Sequence, residues 1–540
     1  MEWQETLSHA DPLSRVFATA FILVGVPCLI YLLSLQKDAR LTIASVGFIG
    51  TALGVVLARD FLWFLVFWEL TVLVACYLIV QGWLSQPLRH GGQTDPVDRS
   101  FRREHGTVPF ACAKSSGFIV AYRYFVIQIV AGASLFFAVA TQYAATGSFA
   151  MDSVTTQAMP FFLVAFLIKT AVIPFHVWVP LTYPCVPPAI AVILSAYSTK
   201  IGVYAFARLL PGIPWIAYAG AFMALFGVVM ALRQKTARRL LSYHLISQVG
   251  YMIAGIGLGT ELGIGAGALH MMNNVVYKSL LFMVAGAVLF RTGTDVLARV
   301  RGAGRSMPLT FVAGLVAAAA ISGMPPLNGY VSKTLLKTAT EGHTFLQSAL
   351  FLAGIGTVLS FTKFIWYLFL QKEPSDAPTS VRVKEVPFGA CLAMGILAVL
   401  CVAQGIDYPR FFALAHNSAS ESVYSAGSVL IGVAAVLAGV ALFVLNQAVA
   451  RSFAGQTAAR PTGARAASIR GKSRRRTSSG SASREEAPPW DIDLGYAWLL
   501  HRVVRVSQYV ARRATDETQA YILVITAVLV ALVAYLAWSA

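Results

Sequence analysis

The sequence predicts an all-α integral membrane protein with about fourteen spanning helices, each needing roughly 20 apolar residues to cross the hydrocarbon core. Three observations predict it. Of 540 residues, 57% are hydrophobic and 12% charged, about half the charged fraction of a soluble domain. So little polar surface cannot cover a water-soluble body. Apolar runs of spanning length recur along the chain, and the basic residues gather in alternate loops between them.

The runs lie near 16–35, 42–58, 61–80, 121–142, 159–180, 188–209, 213–232, 241–258, 264–290, 308–339, 346–370, 387–404, 424–446 and 518–538. With the N-terminus outside, the loops on the inner side hold 32 Lys and Arg and those on the outer side four: Arg15, Arg59, Arg208 and Arg410. That asymmetry sets the orientation. It predicts both termini outside and explains the net charge of +18 as an orientation signal rather than a phosphate-binding surface. The predicted location is the inner (plasma) membrane, multi-pass.

Other chemistries are excluded by what the chain lacks. The six cysteines (Cys28, Cys76, Cys112, Cys185, Cys391, Cys401) form no CxxC pair and no metal-ligand spacing. Five lie in or beside apolar runs and read as small core hydrophobes. No dinucleotide fingerprint, P-loop, haem or iron–sulfur motif is present. The reading is therefore no cofactor, no metal, no catalytic residue and no active site of the chain's own. The first apolar run is too long for a cleavable signal and lacks a small-residue cleavage site.

Polar segments interrupt the pattern. Residues 84–118 form a loop containing HGGQTDPVDRSFRREHG. Residues 452–488 are rich in Arg, Ser, Ala and Gly and cannot bury a core, so they read as a disordered, cytoplasmic linker. The stretch at 491–514 then carries Tyr496, Leu499, Val503, Val506 and Val510 on one face and Arg502, Arg505, Arg512 and Arg513 on the other, the pattern of an interfacial helix.

Six lysines fall within predicted spans: Lys169, Lys200, Lys278, Lys333, Lys337 and Lys363. One carboxylate, Glu69, sits in FLWFLVFWELTVLVACYLIV. Each such charge at a helix centre costs roughly 2.5–3.5 kcal/mol on insertion scales. Groups that costly mark ion pathways, and Glu69, Lys169, Lys200 and Lys333 are read so. Lys337 and Lys363 read as structural, pairing or snorkelling to an interface. Desolvation penalises the ammonium and a carboxylate beside it offsets that penalty, so moving the partner loads or releases a proton. Glu69 with Lys169 is a candidate pair. Two of the lysines stand beside prolines: Pro174 follows Lys169 in KTAVIPFHVW, and Pro325 and Pro326 precede Lys333 in GMPPLNGYVSK. Proline removes a backbone donor and clashes with the preceding turn, predicting two helices broken at mid-membrane, where only protein or a hydrated cavity can line them.

Five blocks carry a family resemblance: FVFWELTVLVACYLI, FLIKTAVIPFHVWVPLTYPCVPPAIAVILSAYSTKIGVYAFAR, QKTARRLLSYHLISQVGYM, ALHMMNNVVYKSLLFMVAGAV and SGMPPLNGYVSKTLL. In this order they resemble the antiporter-like proton-translocating subunits shared by respiratory complex I, membrane-bound hydrogenases and Mrp-type multisubunit sodium/proton antiporters. The resemblance covers about residues 10–400. It implies two five-helix inverted repeats, each with a broken helix. The organisation expected is then an N-terminal helix (1–41), a first repeat (42–210), a second (211–371), accessory helices (372–451), the basic linker, and an interfacial plus a last spanning helix (489–540). Position by position, it assigns proton translocation to Glu69, Lys169, Lys200, His270, Lys278 and Lys333. Asn274 stands where many members have a second histidine; it orients water but carries no proton. The chain begins at the position of the family's third helix, and Lys333 in place of a glutamate leans the reading towards the D-type member of the Mrp antiporters.

The function expected is proton translocation within a multisubunit sodium/proton antiporter, with other membrane subunits, protons, possibly sodium and the lipid bilayer as partners, and no nucleic acid. The alternatives are a pump subunit of an NADH:quinone oxidoreductase-like complex or hydrogenase, and an energy-coupling subunit for inorganic-carbon uptake. A non-conducting scaffold is the reading the buried lysines argue against.

Overall fold

The computed structural model describes residues 11–85, 117–300, 302–371, 384–414 and 423–458, with side chains to 445. The chain order is α1 (Pro12–Leu35), α2 (Ala39–Leu57), α3 (Phe61–Leu84), α4 (Gly117–Thr146), α5 (Met159–Thr170), α6 (Trp178–Thr182), α7 (Pro188–Leu209), α8 (Pro214–Arg233) and α9 (Ala237–Gly257). It continues with α10 (Glu261–Thr292), α11 (Ala303–Ser306), α12 (Pro308–Ser322), α13 (Asn328–Ala339), α14 (Thr344–Ile365), α15 (Phe388–Ile406), α16 (Tyr408–Ala413) and α17 (Ala426–Ala458). Among the described residues there is no β-strand beyond two isolated bridges, Asp60–Ala150 and Thr236–Val296. Thirteen of the fourteen predicted spans fall on these helices; the run at 518–538, the interfacial stretch and the basic linker lie outside the described residues, as does most of the 84–118 loop.

Helix starts follow local chemistry. Asp11 accepts from Ser14 N, Asp38 from Arg40 N and Leu41 N, Asp60 from Trp63 N and Thr260 from Gly263 N, satisfying amides that no helical carbonyl reaches. Ten described helices are long and apolar enough to cross a membrane. The protein is a multi-pass membrane protein. Helix α9 is not among the ten, because its 21 residues carry Arg238, Arg239, Ser242, His244, Ser247 and Gln248. It spans through burial rather than hydropathy: every residue from Leu240 to Gly257 is buried.

Burial sorts the helices by layer. The most apolar window of α7 is wholly buried, and α10 is buried over nearly all its length. Helices α2, α3, α8 and α17 are peripheral, presenting Ile43, Val46, Leu62, Leu73, Phe222, Leu430 and Leu437 outward, as a hydrocarbon surround requires. The centre is thus built from α7, α9 and α10.

Both predicted breaks are present. Helix α5 ends at Ala171, whose φ of 60° is left-handed, and helix resumes at Trp178, beyond Pro174. The freed carbonyl of Ile168 accepts from Trp178 Nε1 at 3.0 Å. Helix α12 ends at Gly323 (φ 84°), and α13 begins after Pro325 and Pro326. The sequence alone reads 159–180 and 308–339 as single spans; each is a pair of half-helices. The order of three unbroken helices, one broken and one unbroken occurs twice, from α2 to α7 and from α8 to α14. Cys185, expected as a core hydrophobe, is disulfide-bonded. Helix α17 is described as backbone to Ala458 and with side chains to Leu445.

Candidate functional site

Of the charges that the sequence placed in the membrane, three lysines are buried, Glu69 and Lys363 are half-buried, and Lys337 is exposed. Lys169, Lys200 and Lys278 are at most 1% exposed. Lys333 is half-buried.

Lys169 is carried by the last turn of α5, immediately before the break. Its Nζ donates to Thr71 Oγ1 at 3.3 Å and lies 5.0 Å from the centre of the Trp68 ring, both on α3. The Thr71 hydroxyl donates to Trp68 O at 2.7 Å, leaving its lone pairs for the ammonium. Glu69 shares this helix and interacts electrostatically with Lys169, but the two form no ion pair in this conformation. The Glu69 carboxylate instead lies against α4 at Gly132, where a Cβ would overlap its Oε1. A Cβ there would displace the carboxylate from this position.

The last turn of α5 packs on α7 at Gly202, where a Cβ would overlap Thr170 Oγ1. Two residues earlier on α7, Lys200 Nζ donates to Ser195 O at 2.7 Å. Lys200 interacts electrostatically with Lys278 of α10. Lys278 Nζ has no hydrogen-bond partner among the described residues and lies 5.7 Å from the centre of the Phe361 ring.

His244 is the residue that sequence reasoning missed. Its distance along the chain from His176 and His270 argues only against a shared metal site. Folding puts the buried His244 ring within electrostatic reach of both Lys278 and Lys333, 4.6 Å from Phe361, with neither ring nitrogen partnered among the described residues. The available signal was a histidine inside a span too polar to cross lipid on its own account.

His270, on α10, shares Nδ1 with Ser332 Oγ at 2.9 Å and interacts with Lys333. Lys333 Nζ donates to Ile321 O at 2.6 Å, across the second break, and lies 5.5 Å from the Tyr251 ring centre. Asn274 Nδ2 reaches Tyr277 OH at 3.3 Å, and that hydroxyl donates to Gln248 Oε1 at 3.2 Å. From Lys333 a cavity of about 430 Å³ runs past Lys337 and Thr340 to Gln347. Lys363 lies off this line: its Nζ donates to Leu232 O and Gln234 O at 2.7 and 2.8 Å, the structural role expected of it. Among the described residues no group of His, Cys, Asp and Glu could hold a metal ion.

Two broken helices and several buried lysines and histidines thus share one interior, and the chain is similar in sequence to antiporter membrane subunits. Residues 114–360 match the family described as NADH:quinone oxidoreductase/Mrp antiporter, transmembrane. The A-type polypeptide of the Na(+)/H(+) antiporter of Alkalihalophilus pseudofirmus is 28% identical over 454 residues, 75% of this chain and 52% of that one. The D-type polypeptide of the same organism's Na(+)/H(+) antiporter is 32% identical over 46% of this chain and 55% of its own. This chain therefore spans about half the length of the curated relatives it matches. A chain of the membrane-bound sulfane sulfur reductase, an archaeal respiratory membrane complex, superimposes with a TM-score of 0.69 at 22% identity, covering 97% of this chain and 89% of that one. At that identity the likeness establishes the fold. The resemblance carried by the five sequence blocks stands.

Proposed function

We propose that this chain is the proton-translocating subunit of a multisubunit monovalent cation/proton antiporter. Protons pass along a mid-membrane row formed by Glu69, Lys169, Lys200, Lys278, His244, His270 and Lys333. The observation that carries the reading is that these groups form two buried sets, Glu69 with Lys169 and Lys200 through Lys278 and His244 to Lys333 and His270, which meet where the last turn of α5 packs on α7 at Gly202. Desolvated like charges repel strongly, so a proton taken up by Lys200 favours release from Lys278, and the step repeats towards Lys333. Unpartnered buried groups such as Lys278 Nζ and His244 are costly unless water satisfies them, which supports a hydrated route. The cavity from Lys333 to Gln347 is its outlet. The repeats are 42–210 and 211–371, and the accessory helices begin at 372. The termini face outward, and the 452–488 linker is cytoplasmic.

The relatives named as components of sodium/proton antiporters favour antiport. The overlap with a chain of a respiratory membrane complex, covering nearly all of this one, favours a second reading, a redox-driven pump subunit. Inside-out vesicles holding the assembled complex decide between them. Addition of sodium or potassium chloride should collapse a preformed pH gradient in the antiporter, whereas only electron donors should move protons in the redox complex. Lys200→Ala should lower proton movement about tenfold or more at unchanged protein level. Wild-type rates in that variant would refute the lysine row. A single cysteine placed in 452–488 should be labelled by impermeant reagents only after lysis; labelling of intact cells would reverse the orientation.

A further inference from the structure

The two breaks are held in different ways. The first is closed by its own segment of chain, Trp178 donating to Ile168 O. The second is gripped from outside the repeats. Gln404, in the last turn of α15, accepts from Asn328 Nδ2 at 2.8 Å, and Asn328 O accepts from Asn273 Nδ2 of α10 at 2.8 Å. Both asparagines are fully buried, and Gln404 is 1% exposed. Beside it, Gly405 lies so close to the unwound segment that a Cβ would overlap Pro326 O. Tyr424, before α17, donates to Gly405 O at 2.6 Å, lies 3.3 Å from Pro326 O and stacks on Tyr330 of α13 with ring centres 5.5 Å apart.

These contacts converge on the backbone that sets Lys333. Its ammonium is anchored to Ile321 O at one edge of the break, and the residue before it, Ser332, meets His270. A displacement of Pro326 or Asn328 therefore changes the spacing of Lys333 to Ile321 and His270. Buried hydrogen-bonded networks of this kind have discrete arrangements rather than a continuum.

We infer that Gln404 and Gly405 are positioning residues: α15 clamps the second break and so fixes where the terminal lysine of the row sits. The inference rests on the proposed proton row. It makes α15 the element through which a force applied outside the repeats reaches Lys333.

The test measures proton transport per assembled chain in vesicles of the whole complex, for five variants. Gln404→Leu keeps similar bulk but removes the acceptor, and Gly405→Ala intrudes on Pro326 O; each should slow transport about fivefold or more. Gln404→Glu retains an acceptor oxygen for Asn328 and should stay within about twofold of wild type. Gly395→Ala is the control on the same helix, since nothing lies within 4 Å of a Cβ there, and it should transport normally. Lys333→Ala tests the underlying row and should abolish transport. If Lys333→Ala is inactive while Gln404→Leu and Gly405→Ala run at the wild-type rate, the clamp is refuted and the row survives. If Lys333→Ala is active, the row itself fails. Should both clamp variants fail to accumulate while Gly395→Ala does, or should Gln404→Glu be as slow as Gln404→Leu, α15 is a structural support and the inference is overturned.

Discussion

His270 Nδ1 lies 2.9 Å from Ser332 Oγ, joining the central helix α10 to the half-helix that carries Lys333. The serine, one residue before Lys333 on α13, tethers the imidazole. Removing it leaves the ring buried with one nitrogen released. Ser332→Ala should slow proton transport several-fold, whereas Ser332→Thr keeps the hydroxyl and should transport near normally. Equal rates in both variants would show that the tether is irrelevant to the relay.

His244 interacts electrostatically with both Lys278 and Lys333, and in the proposed row it is a titratable group where Asn274 is not. His244→Phe conserves the aromatic packing on Phe361 but cannot carry a proton. Transport should fall by about two to four orders of magnitude, the size of a lost acid–base group. Asn274→Ala, measured beside it, should have the smaller effect. The reverse order would move the relay from α9 to α10.

Gly132 leaves space for the Glu69 carboxylate. Gly132→Ala must push that carboxylate off α4, so its transport defect should match that of Glu69→Gln, with the double variant no worse than either single one. Additive defects would mean that Gly132 acts on packing alone.

Arg238 and Asp295 pair at 3.0 Å with 12% and 16% of their side chains exposed, and Arg238 also donates to Val186 O at 2.7 Å. They tie the start of α9 to the turn after α10. Asp295→Asn should lower stability by about 1.5–3 kcal/mol, the range for a hydrogen bond to a charged group, read as a lower melting temperature in detergent. No change in melting would mean that the pair is screened.

Asp38 lies in the α1–α2 loop, and the Ser85 hydroxyl, with the amides of Arg40 and Leu41 and the Gln81 side chain, holds its carboxyl below the usual range. Its folded value is depressed, so its contribution is present above the ordinary carboxylate pKa and is lost as pH falls through the folded one. Asp38→Asn should therefore melt slightly below wild type at pH 7, with the difference vanishing in acid. A difference that persists at about pH 2, below the ordinary carboxylate range, would assign the effect to helix capping by shape rather than charge.

The class of fold was legible in the chain because lipid imposes a one-dimensional rule. A spanning helix must be apolar for about 20 residues, and prolines beside Lys169 and Lys333 break helices wherever they fall. Glu69, Lys169, Lys200 and Lys333 stood out for the same reason, as charges in runs where charge is costly. What the chain order did not contain is which side chains meet. Lys169 donates to Thr71 and lies over the Trp68 ring, while the Glu69 carboxylate lies against α4 at Gly132. His244 comes within electrostatic reach of Lys278 and Lys333 only when α9 packs against α10. Gln404 reads as an unremarkable polar residue until α15 lies against the second break. Those relations depend on contacts between residues tens to hundreds of positions apart, which side-chain packing decides and local periodicity does not encode.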